Sequence, residues 1–124
     1  MNALSIKPTP TSLAVSLDPS TGNFSFTGRS VSEHSVEFFK PVMDWMQQYA
    51  LSPAPKTECL FQMEYFNSAA RKSLIEILKI LNDLHKKGNE VLIKWNYDEG
   101  DDSMKELGEE YANIFSMKFR FNIA

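Results

Sequence analysis

Few residues of this sequence have types and spacing that could do chemistry. The densest group is a run of carboxylates before a predicted helix, at Asp98, Glu99, Asp101 and Asp102. An EF-hand cation site needs alternating ligands and a closing Glu, and this run has neither. Carboxylates at this place also stabilise a helix start without any metal. We therefore expect a turn and a helix cap here. A small metal-dependent enzyme that uses this cluster, Asp98–Asp102, remains an alternative.

The two histidines and the single cysteine do not have the spacing of a metal site. His85 is expected in the last turn of a helix, where the helix dipole favours a cation. Cys59 falls on the apolar side of a predicted strand, which favours a buried and inert thiol. The sequence also has no Gly-rich phosphate loop, nucleophile elbow or zinc motif. We predict a protein that is not an enzyme and has no cofactor.

The segment at residues 64–72 suits a covalent modification. The pattern predicts a strand that ends near Tyr65 or Phe66 and a helix that begins near Ser68. Asn67 and Ser68 are both good N-cap residues, and plain capping is the commoner role for such residues. A hydroxyl at this junction is also accessible, and the free N–H groups of a helix start favour an added phosphate. The basic residues within reach of that phosphate are Arg71 and Lys72.

The composition is that of one small globular domain. A length of 124 residues predicts a single domain over 1–124, with a loose N-terminal arm over 1–12. No apolar run is long enough for a membrane helix, and the first residues do not resemble a signal peptide. Together with the lone cysteine, these features predict a cytoplasmic protein without membrane insertion. Because the net charge is -3 and the basic residues are dispersed, nucleic acid is not an expected partner.

The apolar pattern predicts the architecture. Alternation with the period of a strand occurs at 13–17, 23–27, 58–65, 91–97 and 118–123. In the third of these strands, Tyr65 falls on the apolar face together with Cys59. The first two strands are joined by turn residues and form a hairpin. Every predicted strand has one largely polar face, whereas strands covered by helices on both faces are apolar throughout. The sheet should therefore be covered on one face only. Its polar face includes Leu60 and Leu92, which leave apolar surface there for another group to cover.

Apolar residues at helical spacing predict helices over about 35–50, 68–87 and 103–115. They include Val36 in the first helix and Leu74, Ile77, Leu78 and Leu81 in the second. Pro41 predicts a kink or restart in the first of these. Ser103 and Glu106 have the spacing of a capping box, and Gly108 should allow a close approach to the sheet. The sequence thus predicts an α/β fold. Its single-layer mixed β-sheet has helices on one face, and its elements follow the order β-β-α-β-α-β-α-β.

Four stretches of the sequence, in the right order, resemble the SiaC family. They are Gly28–Ser30, Phe38–Trp45, Glu64–Ser68 and Trp95–Glu99. Members of that family resemble anti-anti-sigma factors of the STAS type such as SpoIIAA, so the resemblance implies a STAS-like fold, in agreement with a one-sided sheet. It also implies a phosphoacceptor directly after the Tyr-Phe-Asn run, which here is Ser68. Relatives often have further hydroxyl residues at this point. This chain has Ala69 and Ala70, so Ser68 is the single acceptor in the motif.

The resemblance also implies partners and an output. A kinase of the SiaB type would phosphorylate the regulator and a PP2C-type phosphatase would restore it. The unmodified form would bind and activate a diguanylate cyclase of the GGDEF type, raise cyclic di-GMP and promote biofilm formation. A second possibility keeps the switch but has the protein sequester an anti-sigma kinase. The residues that we expect around Ser68 in the partner-binding surface are Tyr65, Phe66, Asn67, Arg71, Lys72, Asp98 and Glu99.

Overall fold

The computed structural model describes residues 1–124 as a single six-stranded sheet with three helices. None of the helices is long and apolar enough to cross a membrane. In chain order the elements are β1 (Leu4–Ile6), β2 (Ala14–Leu17), β3 (Asn23–Ser30), α1 (Ser35–Leu51), β4 (Lys56–Phe66), α2 (Ser68–Lys86), β5 (Glu90–Tyr97), α3 (Asp102–Ile114) and β6 (Lys118–Ile123).

The spatial order of the strands is the same as their order in the chain. The pairs β1–β2 and β2–β3 are antiparallel, and the pairs from β3 to β6 are parallel. Each parallel step needs a crossover helix, and right-handed crossovers that all move in one direction place every helix on the same face. This confirms the predicted mixed sheet with helices on one face.

Aromatic residues on neighbouring strands form the centre of the core. Phe26, Phe61 and Trp95 lie side by side in register across β3, β4 and β5, and burying each contributes roughly 1.5–3 kcal/mol. The Trp95 indole donates a hydrogen bond of 2.9 Å to the carbonyl of Met104. A Cβ at Gly108 would lie 2.5 Å from the Trp95 ring, which confirms the predicted close approach of α3 to the sheet.

Three local predictions are corrected. The predicted loose arm contains β1, which pairs with β2, and the Trp45 indole donates to the carbonyl of Asn2 at 2.8 Å. The restart predicted at Pro41 is wrong, because α1 runs through this exposed residue as one helix. The capping box predicted at Ser103 is also wrong. Asp101 is the N-cap of α3, and its side chain accepts a hydrogen bond from the Met104 amide at 3.1 Å.

A β-bulge in β4 changes which side chains face the core. Gly28 of β3 pairs with Met63 and the next residue pairs with Tyr65, so Glu64 is an extra residue in β4. Gly28 has a φ of +103°, which other residues rarely adopt. Because of the extra residue, Phe66 rather than Tyr65 occupies the next core position. Alternation placed Tyr65 on the apolar face, but its side chain is 53% exposed, whereas Phe66 is 5% exposed.

Candidate phosphorylation site

The candidate site lies at the carboxyl edge of the sheet, by which we mean the edge where β3, β4 and β5 end. Since the strands are parallel, all three helices begin at this edge. The N-terminus of a helix carries a partial positive charge, so the edge is electrostatically suited to acceptor groups and anions. Ser68 is the first residue of α2 and is exposed at this edge.

Asn67 is the N-cap of α2. Its Oδ1 accepts a hydrogen bond from the Ala70 amide at 2.9 Å, with an extended backbone at the cap. Its Nδ2 donates to the Ser32 carbonyl at 3.0 Å, and the Ser35 hydroxyl donates to Oδ1 at 3.4 Å. Asn67 is half-buried, and these contacts join the start of α2 to the loop before α1. We predicted Asn67 as a partner contact, but the structure engages its side chain within the protein.

The hydroxyl of Ser68 is not used for capping. It makes no hydrogen bond within the chain, since Asn67 takes the cap role that the sequence left open between the two residues. The amides of Ser68 and Ala69 lie in the first turn, where a helix offers no acceptor for them. A phosphate on Ser68 would therefore lie beside unsatisfied N–H donors and a positive helix end.

Arg71 and Lys72 follow Ser68 within one turn of α2 and are both exposed. Neither forms an ion pair with a carboxylate. The guanidinium of Arg71 lies over the Phe66 ring, 5.6 Å from its centroid. Phe66 is buried, so it supports Arg71 from below and is not available for direct contact with a partner. The free cations next to the acceptor are thus Arg71 and Lys72.

The remaining predicted residues fall into neighbouring parts of the surface. Tyr65 lines a depression of about 150 Å³ together with Arg71 and Asp101. Asp98 lines a second depression of about 220 Å³ on the polar side of the sheet. Glu64, the extra residue of the bulge, belongs to both. Glu99 is exposed in the turn that precedes α3 and lines neither depression.

The acidic turn does not form a metal site. No three His, Cys, Asp or Glu side chains lie together as metal ligands. Asp101 is engaged as a helix cap. The predicted turn and helix cap are thus confirmed at Asp101. Cys59 is fully buried and burial raises the pKa of its thiol well above the usual value, so it is not a nucleophile.

Val36 is a surface residue of this edge that the sequence pattern missed. Its helical spacing placed it on the inner side of α1, but its side chain is 70% exposed. It lies in the first turn, next to Ser35, whose hydroxyl contacts Asn67. The periodicity of α1 does not show that Val36 lies in the first turn, close in space to Asn67 and Ser68. Val36 and Tyr65 give the edge exposed apolar surface, as is common where proteins bind each other.

The chain matches the family model described as "SiaC family regulatory phosphoprotein" over residues 6–124. It belongs to the SiaC family. An uncharacterized protein of Pseudomonas aeruginosa strain UCBPP-PA14 is 30% identical over 119 residues, which cover 96% of this chain and 94% of the relative. The family predicted from the sequence motifs is thereby confirmed.

Solved structures of SiaC from Pseudomonas aeruginosa have the same fold. The crystal structure of apo-SiaC is 30% identical and superposes with a TM-score of 0.90, covering 98% of this chain and 99% of that one. A second structure contains SiaC as the activator of the diguanylate cyclase SiaD, in complex with it. That match has a TM-score of 0.91 at 29% identity, with coverage of 98% and 99%. The predicted fold is confirmed, and a SiaC protein binds a diguanylate cyclase.

Proposed function

We propose that this SiaC-family protein is a non-enzymatic, cytoplasmic regulator whose unmodified form binds and activates a diguanylate cyclase. Phosphorylation of Ser68 abolishes that interaction, and the output is the level of cyclic di-GMP and biofilm formation. The observation that carries the proposal is the free, exposed hydroxyl of Ser68 at the start of α2. The complex of the related SiaC with its cyclase supports the identity of the partner.

The switch rests on the cost of burying charge. Phosphorylation adds about 1.5 to 2 negative charges at neutral pH. The donors and cations beside Ser68 can hold this charge while it is exposed to water, and the same edge also carries the exposed carboxylates of Glu64, Asp98 and Glu99. Enclosing such a group in an interface without matching donors costs several kcal/mol, which is about a hundredfold or more in affinity.

Two enzymes would set the state of Ser68. A kinase of the SiaB type transfers the γ-phosphoryl group of ATP to the Ser68 hydroxyl oxygen and releases ADP. A PP2C-type phosphatase hydrolyses the phosphoester and restores the hydroxyl. Both must reach the start of α2, and the exposure of Ser68 permits this. The kinase therefore contacts the same edge that the cyclase binds, so the two partners compete.

The test of the activating contact uses purified cyclase from the same genome. Wild type and Ser68→Ala should bind it and stimulate cyclic di-GMP synthesis, whereas Ser68→Asp should bind about a hundredfold or more weakly. Thr21→Asp is the matched control. Thr21 is exposed at the opposite end of the sheet. Its hydroxyl accepts a hydrogen bond from the Asn23 amide at 3.3 Å, and the carboxylate of Thr21→Asp can accept the same bond. Equal affinity of wild type and Ser68→Asp would refute the mechanism.

The test of the acceptor uses intact mass and peptide mapping after incubation with the cognate kinase and ATP. We expect one phosphate, on Ser68, and none on Ser68→Ala. Modification found only on Ser73 or Thr57 would refute the assignment. Thr57 is fully buried, and its hydroxyl is bonded to that of Tyr49 at 2.7 Å, so the folded protein should not be modified there. Binding of an anti-sigma kinase in place of the cyclase would contradict the proposed output.

A further inference from the structure

The polar face of the sheet gathers basic side chains at the opposite end from Ser68. Lys94 of β5 and Arg120 of β6 are partners in register, and Lys118 is the register partner of Leu92. Lys56 at the start of β4 joins them through Glu58, which it shares with Lys94. Because the whole chain has a net charge of -3, this concentration of cations is a local feature.

Leu92 lies beneath these side chains. It is on the polar face, yet only 6% of it is exposed. Its register neighbours are Glu58 and Lys118. Long charged side chains can cover an apolar residue with their aliphatic stems while their charged ends stay in water. Leu92 thereby forms an apolar floor with a charged rim.

The carboxylates on this face do not neutralise all of the cations. Glu58 accepts from the Nζ of Lys56 at 3.0 Å and from the Nζ of Lys94 at 2.8 Å. Glu90 reaches only Lys56, at 3.9 Å. Lys118 and Arg120 form no ion pair with any carboxylate. Two positive charges are therefore left without a counter-charge on the rim.

These unpaired cations border a pocket of about 380 Å³. Its lining includes Lys56, Lys118 and Arg120 from the strands, the carboxylate of Glu90, and His85 and Asn89 from the end of α2 and the turn that follows. Two carbonyls of the last turn of the helix are engaged, since Gly88 and Asn89 donate to the carbonyls of His85 and Leu84 at 3.0 and 3.1 Å. They do not face the pocket as free acceptors.

We propose that this pocket binds a small anion that carries phosphoryl groups, such as a diphosphate. The planar guanidinium of Arg120 pairs with two oxygens of one phosphoryl group, and Lys118 and Lys56 supply point charges. The concave shape and the apolar floor suit a small ligand better than a flat membrane surface. Because the contacts are charge-charge contacts at an open pocket, affinity falls as ionic strength rises.

The test titrates the intact protein with pyrophosphate and follows the backbone amides by NMR. We expect saturable shifts at Gly88, Asn89 and Arg120. Arg120→Gln should weaken binding at least tenfold, since it removes a charge-assisted, two-point contact. Arg120→Lys should retain more of the affinity than Arg120→Gln. Lys105→Gln, which removes an exposed and unpaired lysine from the first turns of α3 at the carboxyl edge, should bind like wild type.

Several results would overturn the proposal. These are the absence of saturable shifts, equal weakening by Lys105→Gln and Arg120→Gln, or tighter binding of an acidic peptide than of pyrophosphate. Titrations with a nucleoside diphosphate and with vesicles that contain phosphatidylglycerol distinguish a free small ligand from a lipid headgroup as the source of the phosphoryl group. Binding to the vesicles alone would refute a small ligand. Ser68→Asp should bind pyrophosphate like wild type, so this site can fail or succeed independently of the switch.

Discussion

The two ends of the sheet contain similar polar side chains but use them differently. At the amino edge, where the parallel strands begin, one buried Asn82 Oδ1 accepts hydrogen bonds from the Ser116 amide, the Ser116 hydroxyl and the Met117 amide at 3.1, 3.2 and 3.0 Å. The buried Tyr49 hydroxyl bonds Thr57 at the same edge. At the carboxyl edge Asn67 is half-buried, and the adjoining hydroxyl of Ser68 has no partner.

The polar side chains of the amino edge are engaged in holding the fold, whereas the carboxyl edge leaves a hydroxyl unengaged. Hydrogen bonds at the amino edge fix where β4 and β6 begin, and their loss leaves buried donors unsatisfied. At the carboxyl edge Asn67 secures the start of α2, so the cap does not need the hydroxyl of Ser68. We therefore expect substitutions at the amino edge to act on stability and substitutions at the carboxyl edge to act on partners.

The largest effect on stability is expected for Asn82→Ala. The variant loses the Oδ1 atom that accepts three hydrogen bonds from Ser116 and Met117, and Asn82 is only 6% exposed. We expect the free energy of unfolding to fall by about 3 kcal/mol, measured by urea denaturation. A loss below about 1 kcal/mol would show that water replaces the amide and that the amino edge is not held in this way.

A smaller effect is expected for Asn67→Ala. The variant loses the cap of the Ala70 amide and the contact with Ser32, which should lower the free energy of unfolding by about 1–2 kcal/mol. Asn67→Asp is the matched control, because a carboxylate keeps the cap but cannot donate to the Ser32 carbonyl. If Asn67→Ala destabilised as much as Asn82→Ala, the contrast between the two edges would be wrong.

Ser68→Asp should change stability least among these substitutions, within about 1 kcal/mol of wild type. An acidic residue in the first turn interacts favourably with the helix dipole, so any change should be towards greater stability. Thermal unfolding at low salt measures this. Strong destabilisation would mean that Ser68 serves the fold, and loss of cyclase binding by this variant could then be a folding defect.

The smallest effect is a dependence on pH at the polar face. Hydrogen bonds from Lys94 and Lys56 lower the pKa of Glu58. A carboxylate whose pKa is lowered by folding stabilises the protein above its unfolded pKa, and this contribution is lost as pH falls through the lowered pKa. Glu58→Gln should therefore be less stable than wild type at neutral pH, and the difference should shrink in acid. A difference that is constant between neutral and acidic pH would exclude this ionic contribution.

The main architecture could be predicted because it depends on local patterns. The alternation of polar and apolar residues on every strand indicated a sheet with one face not covered by helices. The spacing of Leu74, Ile77, Leu78 and Leu81 indicated α2, whose observed bounds differ from the predicted ones by one residue. Gly108 was assigned correctly because a glycine on the inner face of a helix leaves room for the neighbouring sheet to approach the helix backbone.

The errors came from contacts that are distant in sequence. β1 forms because β2 and Trp45 hold it, and its own residues do not predict this. Tyr65 was placed on the wrong face because an extra residue in β4 resets the alternation, and only pairing with β3 reveals it. Leu92 is covered by the side chains of neighbouring strands. At the site, motif resemblance predicts Ser68 as the phosphoacceptor, but only the structure could assign the cap to Asn67.

The double engagement of Asn67 has a mechanical consequence. One amide side chain holds the beginning of α2 and also the Ser32 carbonyl before α1, 35 residues earlier in the chain. The two helix starts are therefore tethered to each other. If α2 moves to accommodate a new charge, it must either pull the loop before α1 with it or break this tether. For a partner that contacts both helices, a charge added at the start of α2 would then change the contacts with the start of α1 as well.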